Sequence, residues 1–199
     1  MVDADALILH LNPLQEVLQP EGEVRFADLL GKIEAVCKGL GVPVIVKEVG
    51  YGISADVARG LADVGVSAID IAGAGGTSWS QVEMYRNKVE HMAKVAATFH
   101  GWGIPTADSI QAVKSAVPVI PIFASGGLRN GVDIAKCIAL GAVLGGMAAP
   151  FLKAASVSLE KSLTTIAEIS REIQICMFLV SAQNIDRLQQ TPLVRRTNA

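Results

Sequence analysis

Several things are in short supply in this chain of 199 residues. Basic residues do not outnumber acidic ones: 17 Lys and Arg stand against 19 Asp and Glu, giving a net charge of −2 and a pI near 5.9. A dedicated nucleic-acid binder normally carries a basic excess, so that class is excluded and any anion binding must be local. There are three cysteines, Cys37, Cys137 and Cys176, far apart and in no zinc or Cys-x-x-Cys spacing. They read as reduced thiols of a cytoplasmic protein. Met1 is followed by Asp3 and Asp5 rather than by a basic segment and an apolar run, so no signal peptide is expected. The longest uncharged run, 137–152, is shorter than the ~18–20 residues a bilayer-spanning helix needs. It also contains Gly141, Gly145, Gly146 and Pro150, so no membrane span is expected. A serine nucleophile elbow, a His-Glu-x-x-His pair and a Walker loop are all missing. Aromatic residues make up 5%, which leaves the core to Val, Ile, Leu and Ala.

What is present is apolar bulk punctuated by turns. The chain is 51% hydrophobic with a mean hydropathy of +0.43, which excludes disorder and supports a large core. Nineteen Gly and eight Pro imply many tight turns. Short apolar runs at 6–9, 42–46, 67–72, 119–124 and 142–147 show no strict polar alternation. Continuous runs of this length suit parallel strands buried on both faces. Between them the spacing predicts helices over 26–40, 55–64 behind a Ser54 cap, 133–140 and 159–180. A further helix starts at Thr106 or Asp108 and runs to about 116. Gly41, Gly65 and Gly141 each read as a helix C-cap leading directly into a strand. The more polar region 82–103, with His91 and His100, reads as a helix followed by a mobile loop, both histidines being solvated. The tail beyond Gln189 is polar and expected to fray.

A repeating βα series fits either an open doubly wound sheet or a TIM (β/α)8 barrel. Polar or glycine residues follow almost every strand: His10-Leu-Asn12, Lys47-Glu48, Gly73 to Thr77, and Ser125-Gly126-Gly127. Many strand ends feeding one site is a barrel pattern, whereas a doubly wound sheet concentrates its glycines after one strand. At about 31 residues per βα unit, however, this length holds only about six units, and five strands are visible. The expectation is therefore one α/β domain over 1–190, equal to about the last five βα units of a barrel, with a polar tail at 191–199. Such a sheet would expose two edges and a half-bare core.

Four segments could carry chemistry. Consecutive glycines in Gly73-Ala-Gly-Gly-Thr77-Ser78 would let backbone N–H groups approach an anion, though a tight turn also wants glycine. Ser125-Gly126-Gly127-Leu128-Arg129 precedes a helix start, as a phosphate site late in a barrel would, with the same turn alternative. Lys47 at a strand end could face a site or merely reach solvent. His10-Leu-Asn12-Pro13-Leu-Gln15-Glu16 places four polar side chains at one strand end, or else supplies a core histidine and an ordinary helix start. Trp79 could pack in the core or lie over a ligand.

Taken together, these motifs resemble one family. His10 to Glu16, Gln19-Pro-Glu-Gly22, Val46-Lys47-Glu48, Ala72 to Trp79, Gly103-Ile-Pro-Thr106 and Ser125 to Gly131 are similar, in order and spacing, to the type 2 isopentenyl-diphosphate isomerases. The resemblance implies an FMN-dependent TIM barrel that interconverts isopentenyl and dimethylallyl diphosphate, with reduced FMN, Mg²⁺ and NADPH as reductant. It implies that Lys47, Ala72 and Thr77 meet FMN. Gly126, Gly127, Leu128 and Arg129 would hold its phosphate, with Ala148 and Ala149 closing that site. Gln15 corresponds to the catalytic residue on the substrate side and Glu16 to the Mg²⁺ ligand, while His10, Asn12 and Trp79 would line the pocket. It further implies a homo-oligomer, tetrameric or larger, at full length. The family begins with roughly three more βα units, which supply basic residues for the diphosphate, and it often has an acidic residue where Val143 stands. Two alternatives are another FMN barrel of the 2-hydroxy-acid oxidase type and an inactive barrel fragment. The first would need a histidine base in a His-Gly-x-Arg-like segment after a strand, and none is evident.

Overall fold

The apolar runs become strands because each can be covered by an amphipathic crossover, which parallel pairing requires. The computed structural model describes residues 3–194. The chain runs β1 (Leu7–His10), α1 (Pro13–Leu18), α2 (Leu29–Gly39), β2 (Val44–Lys47), α3 (Ala55–Asp63), β3 (Ala68–Asp70) and α4 (Trp79–Arg86). It continues with α5 (Glu90–Thr98), α6 (Thr106–Ala116), β4 (Ile122–Ala124), α7 (Gly131–Ala139), β5 (Leu144–Gly145), α8 (Ala149–Ala155), α9 (Leu159–Leu179) and α10 (Ile185–Gln189). All pairings are parallel and the strand order is β1-β2-β3-β4-β5. Each strand lies beside its neighbour in sequence, with no reversal of order. That is the winding of a barrel arc rather than of a doubly wound sheet.

Strand alternation gives the sheet two unlike faces. Val46, Ile69, Ile122 and Ala124 pack with Ile33, Leu61, Ile110 and Val113 into the main core, under the helices. The other face carries His10, Lys47 and Asp70, which the register sets side by side. A second core joins α7, α9 and α10 through Ile134, Ile138, Ile169 and Leu188. Among the described residues β1 and β5 each pair on one side only, so the expected open edges are present, and Ile8 and Leu144 on the face of His10 and Asp70 are 55% and 49% exposed.

Several boundaries differ from expectation for local reasons. Ser54 caps α3 as predicted, accepting from the Val57 N–H, and Asn130 caps α7 by accepting from the Asp133 N–H. Gly65 and Gly141 take positive φ, but α2 ends with Leu40 in extended geometry, so Gly41 is not a left-handed cap. The helix expected to start at Thr106 or Asp108 does start at Thr106, with Pro105 in the cap position and the Thr106 hydroxyl used elsewhere. Region 82–103 is not a helix and a loop but two helices, α4 and α5, packed on each other. Their pairing was hidden because α4 buries Ser80 and Glu83 rather than an apolar stripe. His91 and His100 are exposed. The short helices α8 and α10 fall where no helix was predicted. Of the expected tail, residues 191–194 carry no regular element, and 195–199 lie outside the described residues.

Two buried polar groups hold the loop after β2. Glu48 is 6% exposed, and its Oε2 accepts from the backbone N–H groups of Val49, Gly50 and Tyr51 at 2.6, 2.8 and 2.6 Å. Ser109 of α6 is fully buried; its Oγ accepts from the Ile53 N–H at 2.9 Å and donates to the Ile53 carbonyl at 2.8 Å. Burial raises the Glu48 carboxyl above its ordinary range, against the pull of the three N–H donors and Lys47. The folded state then holds this proton more tightly than the unfolded chain, so this group's contribution to stability falls as pH rises from the ordinary glutamate range through the raised value. Glu48→Gln should flatten that slope in urea unfolding followed from acid to neutral pH. Glu48→Ala strands three buried donors and should cost about 2–4 kcal/mol, and Ser109→Ala about 2–3 kcal/mol, read from the same unfolding midpoints.

Candidate active site

Parallel strands point their C-terminal ends the same way, so the polar residue at each end arrives on one edge of the sheet. His10, Lys47 and Asp70 occupy one register row on β1, β2 and β3. The Lys47 ammonium donates to the Glu48 carbonyl at 2.8 Å and lies 3.5 Å from Asp70 Oδ2. The other Asp70 oxygen accepts from Ser125 Oγ at 2.7 Å and from the Ala72 N–H at 3.2 Å. One carboxylate thus ties together the ends of β2, β3 and β4. Ala72, held by it, has φ +32°, a strained conformation for a residue with a Cβ. His10 is still reached by solvent. Partial burial and the Lys47 charge nevertheless hold its pKa below the usual value, opposed by Glu16, which favours neutral imidazole near pH 7.

The two glycine segments predicted to bind anions pack against each other. A Cβ on Gly126, whose φ is +103°, would lie 2.1 Å from the Gly73 carbonyl oxygen; one on Gly127, at φ +80°, would lie 2.2 Å from that of Gly75. Glycine is required here by loop-on-loop contact. The Gly73 N–H donates to the Ser125 carbonyl at 3.0 Å, and Thr106 Oγ1 donates to the Gly126 carbonyl at 2.7 Å. Among the described residues, none accepts from the backbone N–H of Gly126, Gly127 or Leu128. These groups therefore remain available to an anion, beside the N-terminus of α7. A cleft of about 360 Å³ opens along this loop, lined by Gly126, Gly127 and Leu128 and by Lys136 and Cys137 of α7. The Cys137 thiol there is pushed up to about 11, mainly by burial, and is unreactive at neutral pH.

The segment after β1 forms α1, with Pro13 as its first residue. Its carboxylate and amide both have partners. Glu16 Oε1 accepts from Asn12 Nδ2 at 2.7 Å and Oε2 from the Glu23 N–H at 2.9 Å. Gln15 Nε2 and Gln19 Nε2 donate to Glu83 Oε1 at 3.2 and 3.0 Å, and Arg86 pairs with the same carboxylate at 3.1 Å. Glu83 is 2% exposed. Because a carboxylate only accepts, the Gln15 amide must present its NH₂ to Glu83, which leaves its carbonyl oxygen free for another donor. Among the described residues no group of three His, Cys, Asp or Glu side chains gathers as a metal cage.

Trp79 and Thr77 lie on the β3–α4 connection, Trp79 half-buried as the first residue of α4 and Thr77 exposed. Arg129 is exposed, and its backbone N–H donates to Asp133 Oδ2 at 3.0 Å. Ala148 and Ala149 lie at the start of α8, just past β5. Sequence reasoning overlooked Asp70 and Glu83 as site residues. The first had a visible signal, a lone carboxylate inside the apolar run 67–72. Glu83, four residues after Trp79, had none, since a charge on a polar helix normally reads as solvated.

Known proteins resemble this chain in sequence and in fold. A family profile described as FMN-dependent dehydrogenase matches residues 23–195. A protein of a Synechocystis species named isopentenyl-diphosphate delta-isomerase is 51% identical over 193 residues, which is 97% of this chain and 55% of that protein. Proteins of the same name from a Nostoc species and from Oceanobacillus iheyensis are 49% and 47% identical, over 98% and 96% of this chain and 56% and 55% of theirs. The chain thus spans about half the length of the curated relatives it matches. In fold it is similar to a lactate oxidase of Pediococcus acidilactici, with TM-score 0.70 at 16% identity over 98% of this chain and 55% of that one. It is also similar to GMP reductase of Trypanosoma brucei, with TM-score 0.64 at 23% identity over 98% of this chain and 41% of that one. A barrel-arc sheet with its polar residues gathered at the strand ends, a profile match over most of its length and about half its residues shared with proteins of one name place the chain in the FMN-dependent dehydrogenase family.

Proposed function

We propose that this chain forms the flavin side of an isomerase that interconverts isopentenyl diphosphate and dimethylallyl diphosphate. The observation that carries the reading is the convergence, on one sheet edge, of a lysine in an ion pair and a glycine loop whose backbone donors meet no acceptor among the described residues. Those two features fit the two ends of FMN. Backbone N–H groups of Gly126, Gly127 and Leu128, with Arg129, would take its phosphate. Ala148 and Ala149 would close that side. Lys47, with Ala72 and Thr77, would meet the ring system, where a cation favours the reduced, anionic form. When bound, reduced flavin supplies ring nitrogens that can exchange a proton with a substrate carbon, so a reaction with no net redox change still needs it.

The chain's own side chains then place the substrate. Gln15 is a poor acid or base near neutral pH, and its fixed amide serves to orient the reacting end. Glu16 offers a carboxylate to Mg²⁺, which takes one or two carboxylates together with phosphate oxygens and water, so no multi-residue cage is needed. Asn12 holds that carboxylate in place. Neutral His10 can donate a hydrogen bond without adding charge, and Trp79 gives an apolar wall for the prenyl chain. NADPH as the source of reducing equivalents, a cytoplasmic setting and a homo-oligomeric assembly belong to the same proposal. No helix among the described residues is long and apolar enough to cross a membrane.

A second reading is favoured by the open edges at β1 and β5: a chain that binds FMN but turns over substrate only when both edges are covered. One experiment separates the readings. The chain is titrated with FMN and then supplied with NADPH, Mg²⁺ and isopentenyl diphosphate. Dimethylallyl diphosphate is expected under the first reading, and FMN binding without product under the second. Failure to bind FMN would defeat both, and bleaching of bound flavin by a 2-hydroxy acid would point to an oxidase. Lys47→Ala should weaken FMN binding about tenfold, the scale of one lost charge-assisted contact. Gln15→Ala should lower turnover about a hundredfold or more while FMN binding is kept, as measured by product formation and flavin fluorescence.

A further inference from the structure

Thr106 lies outside every motif to which a binding role was given, yet it touches both glycine loops. It is the first residue of α6 and 9% exposed. Its Oγ1 donates to the Gly126 carbonyl at 2.7 Å, with the Ser125 carbonyl at 3.5 Å, and its backbone N–H donates to the Ala74 carbonyl at 3.3 Å. A Cβ on Gly73 would fall 2.4 Å from Thr106 Cα, so the β3 loop lies directly on this residue.

The direction of the hydrogen bond has a consequence one atom along the chain. The peptide joining Gly126 to Gly127 is planar and trans, so its C=O and N–H point in opposite directions. A hydroxyl that pins the Gly126 carbonyl toward α6 therefore aims the Gly127 N–H away from α6. That N–H has no acceptor among the described residues. Both glycines sit at positive φ against the packed β3 loop, and the Thr106 hydroxyl is the side-chain donor that holds the carbonyl between them.

We propose that Thr106 is a positioning residue for a phosphate monoester, which it serves by orienting the backbone donors of the β4–α7 loop. The proposal rests on the reading that this loop takes the FMN phosphate. It predicts a defect confined to the phosphate end of the ligand.

The test compares FMN, riboflavin and inorganic phosphate as ligands, by flavin fluorescence and by phosphate competition against FMN. Thr106→Val keeps the shape and removes the donor. It should weaken FMN about tenfold, leave riboflavin unchanged and weaken phosphate competition in step with FMN. Thr106→Ser should restore wild-type FMN binding. If the valine protein does not fold, Thr106→Cys, a weak donor of similar size, takes its place in the comparison. FMN binding unchanged in the valine protein, or in the cysteine protein where that replaces it, or FMN and riboflavin weakened equally, would overturn the proposal. A wild-type chain that binds FMN no better than riboflavin would instead defeat the phosphate assignment of the loop, and the role of Thr106 with it.

Discussion

Two loops from different strands meet here only because neither carries a side chain at the point of contact. Gly126 and Gly127 lie against Gly73 and Gly75 so closely that a single added carbon would fall about 2 Å from a carbonyl oxygen. Much of the site follows from that contact. It brings the end of β3 to the end of β4, and with them Asp70 to Ser125. Asp70 in turn reaches back to Lys47 on β2. Beside this contact the Thr106 hydroxyl holds the Gly126 carbonyl toward α6, and the next N–H has no acceptor among the described residues. Close packing and unpaired donors, usually opposed, are here two results of one backbone geometry.

Around this joint the charges are arranged economically. The row His10, Lys47, Asp70 combines a neutral imidazole, a cation and its counterion on one edge. A lysine next to a carboxylate keeps a defined position, which a lone lysine on a flexible stem does not. Between α1 and α4, Glu83 is buried and collects Gln15, Gln19 and Arg86. The two clusters keep their charges paired, while the Gln15 side-chain oxygen and the loop N–H groups meet no partner among the described residues. The sheet that carries them remains open at both edges, with Ile8 and Leu144 half in solvent.

The order of elements was legible from the sequence because apolar runs and glycine stops are local signals. The run 42–46 and the Ser54 cap led directly to β2 and α3. Neighbour-by-neighbour strand order was legible too, from the polar residues that follow nearly every strand. Long-range partners were not. Thr106 reads as a helix start in sequence, and only the fold shows its hydroxyl bound to a loop twenty residues away. Glu83 reads as solvated until α4 and α1 meet. The glycines were legible as special but not in their reason, since a turn, a ligand and a neighbouring loop all ask for the same missing Cβ.

Whether the β4–α7 loop offers its backbone to a phosphate is read from the amide resonances of Gly126, Gly127 and Leu128, followed by NMR during titration with FMN and, separately, riboflavin. These three amides are expected to shift strongly with FMN and to stay still with riboflavin. Saturating FMN binding that leaves all three unmoved would contradict it.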